Sequence, residues 1–208
     1  MKKTILTCAT TGILMATPVM AEVTTGAALT SNYIWRGVSQ TQDDAALSGS
    51  VDYSNESGFY AGVWASRVDF ADADVEVDAY FGMSGDINDD FSWDVGLLSY
   101  NYPGAKGRFD EVYVGVGYGA LSFTYYLDVD IRADGVGDYA ELGADFEVGD
   151  LGLSLRVGNY DVDFGYSVID YKVAVSKEIE GYGVELAVTD TDAAKSKSEI
   201  VLTVSTEF

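Results

Sequence analysis

The sequence predicts an all-β fold: a closed antiparallel up-and-down transmembrane β-barrel of twelve strands, preceded by a cleaved signal peptide. Three observations lead to this prediction. After residue 21, segment follows segment in which apolar and polar residues alternate; the connections are alternately short and long; and the last residue is aromatic, Phe208. Alternation with a period of two is typical of a strand with one apolar face. Alternating short turns and long loops are typical of an outer-membrane barrel.

The N-terminal segment, residues 1–21, is predicted to be a signal peptide. Lys2 and Lys3 form a basic start, an apolar stretch follows, and small or aliphatic side chains precede the expected cleavage after Ala21. The apolar stretch is shorter than the about 20 residues that a membrane-spanning helix needs. We therefore expect export of the chain and a single barrel domain over residues 22–208.

The strands are predicted from the alternation of side chains along each segment. In the last segment, Ile200, Leu202 and Val204 fall on one face, whereas Thr203 and Ser205 fall on the other. The same reasoning predicts twelve strands, near residues 23–35, 47–53, 59–68, 75–84, 91–97, 111–118, 121–128, 140–148, 151–158, 169–176, 184–189 and 199–208.

Short and long connections between these segments alternate along the chain. The short ones are residues 55–58, 86–90, 119–120, 149–150 and 178–181. The longer ones, rich in acidic residues, glycine and lysine, are residues 36–44, 69–74, 103–108, 130–137, 159–163 and 190–197. This arrangement predicts a barrel with tight turns at one rim, where both termini also lie, and loops at the other rim.

The apolar face is expected to meet the lipid of the bacterial outer membrane. Aromatic residues near strand ends, Trp35, Tyr53, Trp93 and Phe208, are expected at the membrane interface. Outer-membrane lipid and lipopolysaccharide are therefore the expected surroundings, and the barrel-assembly machinery is expected to recognise the strand that ends at Phe208. Because a soluble barrel or sandwich shows the same alternation, a soluble periplasmic β-protein is the alternative.

Composition excludes several classes of function. All 34 acidic residues lie beyond residue 21, where only 10 of the 12 basic residues remain, so the mature net charge is −24 and nucleic acid is not an expected partner. The chain has no histidine, and Cys8 lies in the signal peptide. Zinc sites built from Cys or His, thiol nucleophiles and histidine-dependent triads are thereby excluded. We expect no metal, no cofactor and no enzymatic activity, although acid-only glycoside hydrolysis stays formally open.

One stretch near the first predicted loop is distinctive. Residues 31–41 contain Trp35-Arg36-Gly37-Val38-Ser39-Gln40, and alternating segments follow at 47–53 and 58–66. Together these resemble the TorF-type porin family of proteobacterial outer-membrane proteins, over residues 30–85 in the main. The resemblance implies an outer-membrane protein of porin type and supplies no catalytic residues.

The predicted function is a porin-type channel for passive diffusion of small hydrophilic solutes. Its candidate lumen and selectivity residues are Arg36, Asp52, Glu76, Asp78, Asp94, Glu111, Glu141, Asp145, Arg156, Lys172 and Glu185. Carboxylates that line a narrow passage concentrate cations, so cation preference is expected. Arg36 either crosses the lumen to a wall acid or pairs with lipopolysaccharide phosphate or a loop acid. The alternative function is a non-conducting barrel with a structural, adhesive or loop-binding role.

Overall fold

The structure is a computed structural model that describes residues 21–70, 72–105, 107–129, 137–162, 166–193 and 196–208. The predicted signal peptide lies outside the described residues except for Ala21, and so does most of the predicted loop at 130–137. Within the described ranges, the chain has no helix that is both long enough and apolar enough to cross a membrane.

The described strands close into one antiparallel barrel. Each barrel strand pairs with its neighbours along the chain, and the first pairs with the last. The barrel strands are β1 (Glu22–Thr30), β4 (Ala46–Ser54), β5 (Phe59–Phe70), β6 (Ala73–Asp86), β7 (Phe91–Asn101), β8 (Arg108–Tyr118), β9 (Leu121–Asp128), β10 (Asp138–Val148), β11 (Leu151–Val162), β12 (Tyr166–Ile179), β13 (Tyr182–Thr191) and β14 (Glu199–Glu207). The prediction of a closed twelve-stranded barrel is confirmed for the part of the chain that the structure describes.

The barrel closes where β1 meets β14. Ala27 lies opposite Thr206 in the register, and the pairing runs to the end of the chain because Thr25 and Phe208 exchange backbone hydrogen bonds of 3.1 and 2.9 Å. A closed sheet leaves no edge, so the N–H and C=O groups of its strands have partners within the sheet.

The two faces of the wall differ as the alternation predicts. Apolar side chains point outward and are exposed, for example Leu47 at 65% and Ile200 at 70%. Inward-facing side chains are polar or aromatic, and many are buried, for example Glu76 and Tyr100 at 1% exposure each. The interior is therefore a packed polar and aromatic layer, while the outer face suits hydrocarbon.

The first predicted strand, near residues 23–35, is shorter than expected. β1 ends at Thr30, and a separate hairpin follows within the first loop, formed by β2 (Ile34–Trp35) and β3 (Val38–Ser39). Its two-residue turn has positive φ angles, 46° at Arg36 and 78° at Gly37. Positive φ at both central residues is the backbone of a type I′ hairpin turn. We call residues 34–39 the loop hairpin.

The loop predicted at residues 69–74 is a tight turn instead. β5 continues to Phe70 and β6 starts at Ala73. The extra length is supported by the first loop, since the Asp69 N–H donates to the Gln40 carbonyl at 2.7 Å. Alternation alone did not reveal this extension because its partner lies in a loop. β11 likewise continues to Val162, beyond the predicted start of its loop at residue 159.

Candidate functional site: the lumen and its loop hairpin

The loop hairpin is anchored inside the barrel by Arg36. Its Nη2 donates to both carboxylate oxygens of Glu111 on β8, at 2.8 and 2.7 Å, and the two side chains are 4% and 0% exposed. Four aromatic rings surround the guanidinium. The ring centroids of Trp35 and Tyr139 lie 4.3 Å from Cζ, and those of Tyr126 and Tyr160 lie 5.3 Å away. Stacked rings and a carboxylate are the partners that a guanidinium suits best.

The rest of the hairpin contacts other parts of the wall. Ile34 packs on the small side chains Ala174, Ala187 and Val201 of β12, β13 and β14. At the tip, a Cβ added to Gly37 would lie 2.8 Å from Asp170 Cβ. The hairpin therefore touches the wall on opposite sides of the lumen and divides it.

The residue before the hairpin reaches a third part of the wall. Tyr33 Oη donates to Glu76 on β6 at 3.2 Å, and its ring lies 5.3 Å from the ring of Trp64 on β5. The base of the loop is held by Asn32, whose Oδ1 accepts from Ser39 Oγ at 2.7 Å and from Thr41 Oγ1 at 3.1 Å. These bonds fix the loop at both ends of the hairpin.

At the long-loop rim, the first loop is joined to the last one. Lys197 Nζ lies 2.7 Å from Asp43 Oδ2 and 3.0 Å from Glu199 Oε1. The hydrogen bond from Lys197 lowers the pKa of Asp43, and hydrogen bonds to Asp43 and Glu199 raise the pKa of Lys197. This exposed ion pair, which we call the rim clasp, spans the seam between β14 and β1.

On one side of the hairpin the lumen is filled, and we call this side, lined by β5 to β10, the dense half. Its core is a cluster of inward side chains: Leu98, Tyr100, Phe109, Tyr113, Tyr126 and Tyr139, with Trp35, Tyr60, Tyr80, Tyr102 and Tyr160 packed against them. Tyr100 and Phe109 stack at a centroid distance of 4.1 Å. These packed rings fill this side of the lumen.

Several predicted lumen acids lie in the dense half and are bound by tyrosine hydroxyls. Tyr60 Oη donates to Asp94 at 2.6 Å, Tyr80 Oη donates to Asp52, and Tyr100 Oη donates to Glu111 at 3.1 Å. The carboxylates that are buried there are Glu76, Asp78, Asp94 and Glu111. They face the lumen, as the parity of their strands requires, but they contact protein groups more than open space.

Glycines on neighbouring strands leave room for the tyrosine rings to lie against the barrel wall. In the register, Tyr60 lies opposite Gly82, Tyr80 opposite Gly62 and Tyr113 opposite Gly96. A Cβ on Gly82 would come within 2.5 Å of the Tyr60 ring, so the ring lies flat over a residue without a side chain. Sequence reasoning missed this layer. The pattern that could have revealed it is tyrosine on the polar face with glycine two residues away on the same face.

The other side of the lumen is less filled, and we call this side, lined mainly by β11 to β14, β1 and β4 with contributions from the adjoining β5 and β10, the open half. It holds a cavity of about 90 Å³. Small or hydroxyl side chains line one wall of the cavity, among them Ala28, Ser48 and Thr203. Four of the predicted lumen charges also line the cavity, and they are Glu141, Arg156, Lys172 and Glu185.

These charges are arranged in ion pairs. Lys172 Nζ lies 2.8 Å from Glu185 Oε1, and Arg156 lies 2.8 Å from Asp145 Oδ2 and 3.6 Å from Glu141 Oε1. The side chains of Glu141, Arg156, Lys172 and Glu185 are 13 to 21% exposed, which fits their position at the cavity wall. The structure therefore separates most of the predicted lumen residues into a buried group and a cavity-lining group. Asp52 is partly buried and Asp145 is 56% exposed, and neither lines the cavity.

One predicted interface aromatic lies elsewhere. Trp35 is inside the barrel, where its ring makes edge contacts with Tyr100 at 6.0 Å and Tyr160 at 5.7 Å, so its expected position at the membrane interface is wrong. The chain leaves the wall at residue 31, which carries Trp35 into the lumen. The other three aromatics, Tyr53, Trp93 and Phe208, lie on outward-facing positions near the short-turn rim.

Comparison with known proteins identifies a family. The family model described as "Bacterial protein of unknown function (Gcw_chp)" matches residues 16–206, so the chain belongs to this family. No curated protein matches the sequence. Among solved structures, the KdgM porin has a TM-score of 0.65 at 10% identity and covers 89% of this chain and 99% of its own. The KdgM porin in complex with disordered oligogalacturonate has a TM-score of 0.62 at 10% identity, covering 89% and 98%. At this identity the likeness concerns the fold.

Proposed function

We propose that this member of the Gcw_chp family is an outer-membrane channel of the porin type, for passive diffusion of small hydrophilic solutes. One observation carries the proposal. The barrel is closed and apolar outside, yet its lumen keeps a charged cavity of about 90 Å³ beside the folded-in loop. A structural barrel has no need of such a space, whereas a passage for polar solutes does. The TorF-type resemblance points to the same class of protein.

The outer surface supports a location in the bacterial outer membrane after export. Tyr53, Trp93 and Phe208 point outward near one rim, as aromatic side chains do at a bilayer interface. Between the rims the outward positions are apolar, for example Val51 and Leu202. Lipid and lipopolysaccharide are the surroundings we propose, and the strand that ends at Phe208 is the part proposed to contact the barrel-assembly machinery.

We further propose that ionic current through the lumen favours cations. Among the described residues, three cationic side chains face the lumen, and each is paired with carboxylate: Arg36, Arg156 and Lys172. Inward carboxylates outnumber them, and several of these, among them Asp52 and Asp94, are bound by tyrosine hydroxyls. The excess of negative charge in narrow, low-dielectric walls concentrates cations.

The same charge excess distinguishes this lumen from that of a channel for acidic saccharides. The KdgM porin has been solved with disordered oligogalacturonate. A polyanion entering the present lumen would meet more carboxylates than cations, so we propose that it is not the solute of this protein.

The test is single-channel conductance of the refolded mature protein in a planar bilayer, with a salt gradient across it. Discrete steps with a reversal potential that favours cations are the expected result. Folding is confirmed separately by heat-modifiable gel mobility. Folded protein without steps would contradict the channel, and a reversal potential that favours anions would contradict the cation preference alone.

A second candidate function is a non-conducting barrel, and the loop hairpin is the observation that favours it. The hairpin contacts both sides of the lumen, through Ile34 on Ala187 and through Arg36 on Glu111. If these contacts persist at all times, no continuous path remains. Steps that appear only when the hairpin is displaced by mutation would favour a plugged barrel over an open one.

A further inference from the structure

We propose that the open half of the lumen binds small zwitterionic solutes, such as α-amino acids, at the ion pairs of β10 to β13. This inference rests on the proposed channel function and names the class of solute. We call the four cavity-lining charges Glu141, Arg156, Lys172 and Glu185 the charge ladder.

The ladder has charges of alternating sign along the barrel axis. Arg156 and Lys172 lie directly opposite each other in the register of β11 and β12. One step toward the long-loop rim, Glu141 and Asp170 lie on either side of Gly158. Toward the short-turn rim, Glu185 follows at the position opposite Ser176. A tier of two cations is therefore bordered by carboxylates above and below.

The partners of these charges decide which solute can replace them. A simple anion that binds Lys172 competes with Glu185, 2.8 Å away, for the ammonium group and weakens this ion pair in a narrow lumen. A simple cation that binds Glu185 likewise competes with Lys172 for the carboxylate and weakens the pair. Leaving one member of a partly buried ion pair uncompensated is costly. A zwitterion offers its carboxylate to Lys172 or Arg156 and its ammonium group to a neighbouring carboxylate, so every charge keeps a partner.

The cavity has the size for such a solute. Its volume of about 90 Å³ is several times the about 15 Å³ that a cavity needs to hold one water. The cavity is also lined by Ala28, Ser48 and Thr203, whose short side chains leave the space open. A small amino acid can thus replace several waters without moving the dense half.

Proteoliposome swelling tests the inference, because zwitterions and neutral solutes carry no net current. Glycine is compared with glycerol, a neutral solute of similar size, for the wild type and for Lys172→Gln. The wild type is expected to admit glycine faster than glycerol. Lys172→Gln is expected to lower the glycine-to-glycerol rate ratio by about twofold to fivefold, the range for a partly exposed charge pair.

Two further variants serve as controls. Lys177 pairs with Asp150 at the short-turn rim, outside the cavity, so Lys177→Gln is expected to leave the ratio unchanged. The double exchange Lys172→Glu with Glu185→Lys restores a pair with reversed order, and it is expected to recover the ratio. This exchange also covers the case in which Lys172→Gln does not fold.

The possible outcomes separate the two proposals. A ratio that is the same for wild type, Lys172→Gln and the exchanged pair would overturn the zwitterion site while leaving the channel intact. Equal loss in Lys172→Gln and Lys177→Gln would overturn it as well. If folded protein admits neither glycine nor glycerol, the channel function itself fails.

Discussion

Arg36 and Glu111 are 75 residues apart in the chain, and they form a buried ion pair in the middle of the barrel. The pair joins the loop hairpin to β8, on the far side of the barrel from β1. Because both side chains are removed from solvent, the pair is a specific anchor for the hairpin and not a surface contact. The position of the first loop, and with it the division of the lumen, depends on this contact.

Breaking the pair from one side is expected to destabilise the barrel strongly. Arg36→Met leaves the Glu111 carboxylate buried without a charge partner, which costs about 3–5 kcal/mol. The free energy of unfolding in urea, followed by tryptophan fluorescence of the refolded protein, measures the loss. The double variant with Glu111→Leu removes both charges and is expected to recover a large part of the stability. Equal destabilisation in the single and double variants would contradict the ion-pair explanation.

Displacing the tip of the hairpin is expected to enlarge the passage. In Gly37→Val, the added side chain meets Asp170 and Thr191 on β12 and β13, where a Cβ already comes within 2.8 and 3.0 Å. The hairpin must then move away from the open half. Single-channel conductance is expected to rise above that of the wild type.

Gly104→Val is the matched control for this variant. Gly104 also has positive φ, +90°, but no heavy atom lies within 4 Å of its Cβ position. Backbone strain is therefore present in both variants, whereas contact with the barrel wall is present only in Gly37→Val. A conductance increase of the same size in both would show that strain, and not displacement of the hairpin, is the cause.

Three tyrosine rings lie over glycines of the neighbouring strand: Tyr60 over Gly82, Tyr80 over Gly62 and Tyr113 over Gly96. This tyrosine layer is expected to tolerate no side chain at those glycines. In Gly82→Ala, the new methyl group would meet the Tyr60 ring within 2.5 Å, and an overpacked site of this kind costs about 1–3 kcal/mol. The temperature at which the folded gel band converts to the unfolded one should fall. Gly107→Ala, where the nearest atom is 3.5 Å away on Tyr102, is expected to leave that temperature nearly unchanged. A fall of similar size in both variants would argue against the layer.

The ion pair of the rim clasp is expected to open both at low pH and at high pH. Lys197 lowers the pKa of Asp43, so the contribution of this carboxylate is present above its ordinary pKa of about 3.9 and is lost as the pH falls through the lowered value. Asp43 and Glu199 raise the pKa of Lys197, so its contribution is lost as the pH rises through a value above about 10.4. The clasp should therefore be closed between about pH 5 and pH 10.

Spin labels at residues 42 and 198, attached to cysteines introduced into the otherwise cysteine-free mature chain, measure this opening as a distance. The distance distribution is expected to broaden as the pH falls below the ordinary carboxyl pKa of about 3.9 and through the lowered value, and to stay unchanged near neutral pH. In Asp43→Asn the broad distribution should already be present at pH 7. A wild-type distance that stays constant down to the acid limit would contradict the role of the ion pair.

The wall of the barrel was predictable from the sequence because its cause is local. Outward Leu202 and Val204 alternate with inward Thr203 and Ser205, and each strand shows the same period on its own. Positive-φ glycines close several short turns, such as Gly119 and Gly149. Neither feature requires knowledge of a distant residue.

The contents of the lumen were predictable only in part. Strand parity placed Glu111 and Lys172 inside. The sequence offered a pairing of Arg36 with a wall acid across the lumen as one of two alternatives, but it did not indicate that the acid is Glu111 or that Trp35 would leave the wall. These positions depend on contacts between a loop and strands far along the chain, whose energy no local pattern expresses. The extension of β5 to Phe70 has the same cause, since its partner Gln40 lies in the first loop.

The central claim is that solutes pass through the open half of the lumen and not through the dense half. Thiol accessibility tests it directly, because the only cysteine of the chain, Cys8, lies in the predicted signal peptide and residues 22–208 contain none. Thr203→Cys places a thiol on the cavity wall, and Thr124→Cys places one on β9, away from the cavity. A charged methanethiosulfonate reagent should reduce the current of Thr203→Cys and leave that of Thr124→Cys unchanged. Block of Thr124→Cys with no effect on Thr203→Cys would contradict the account.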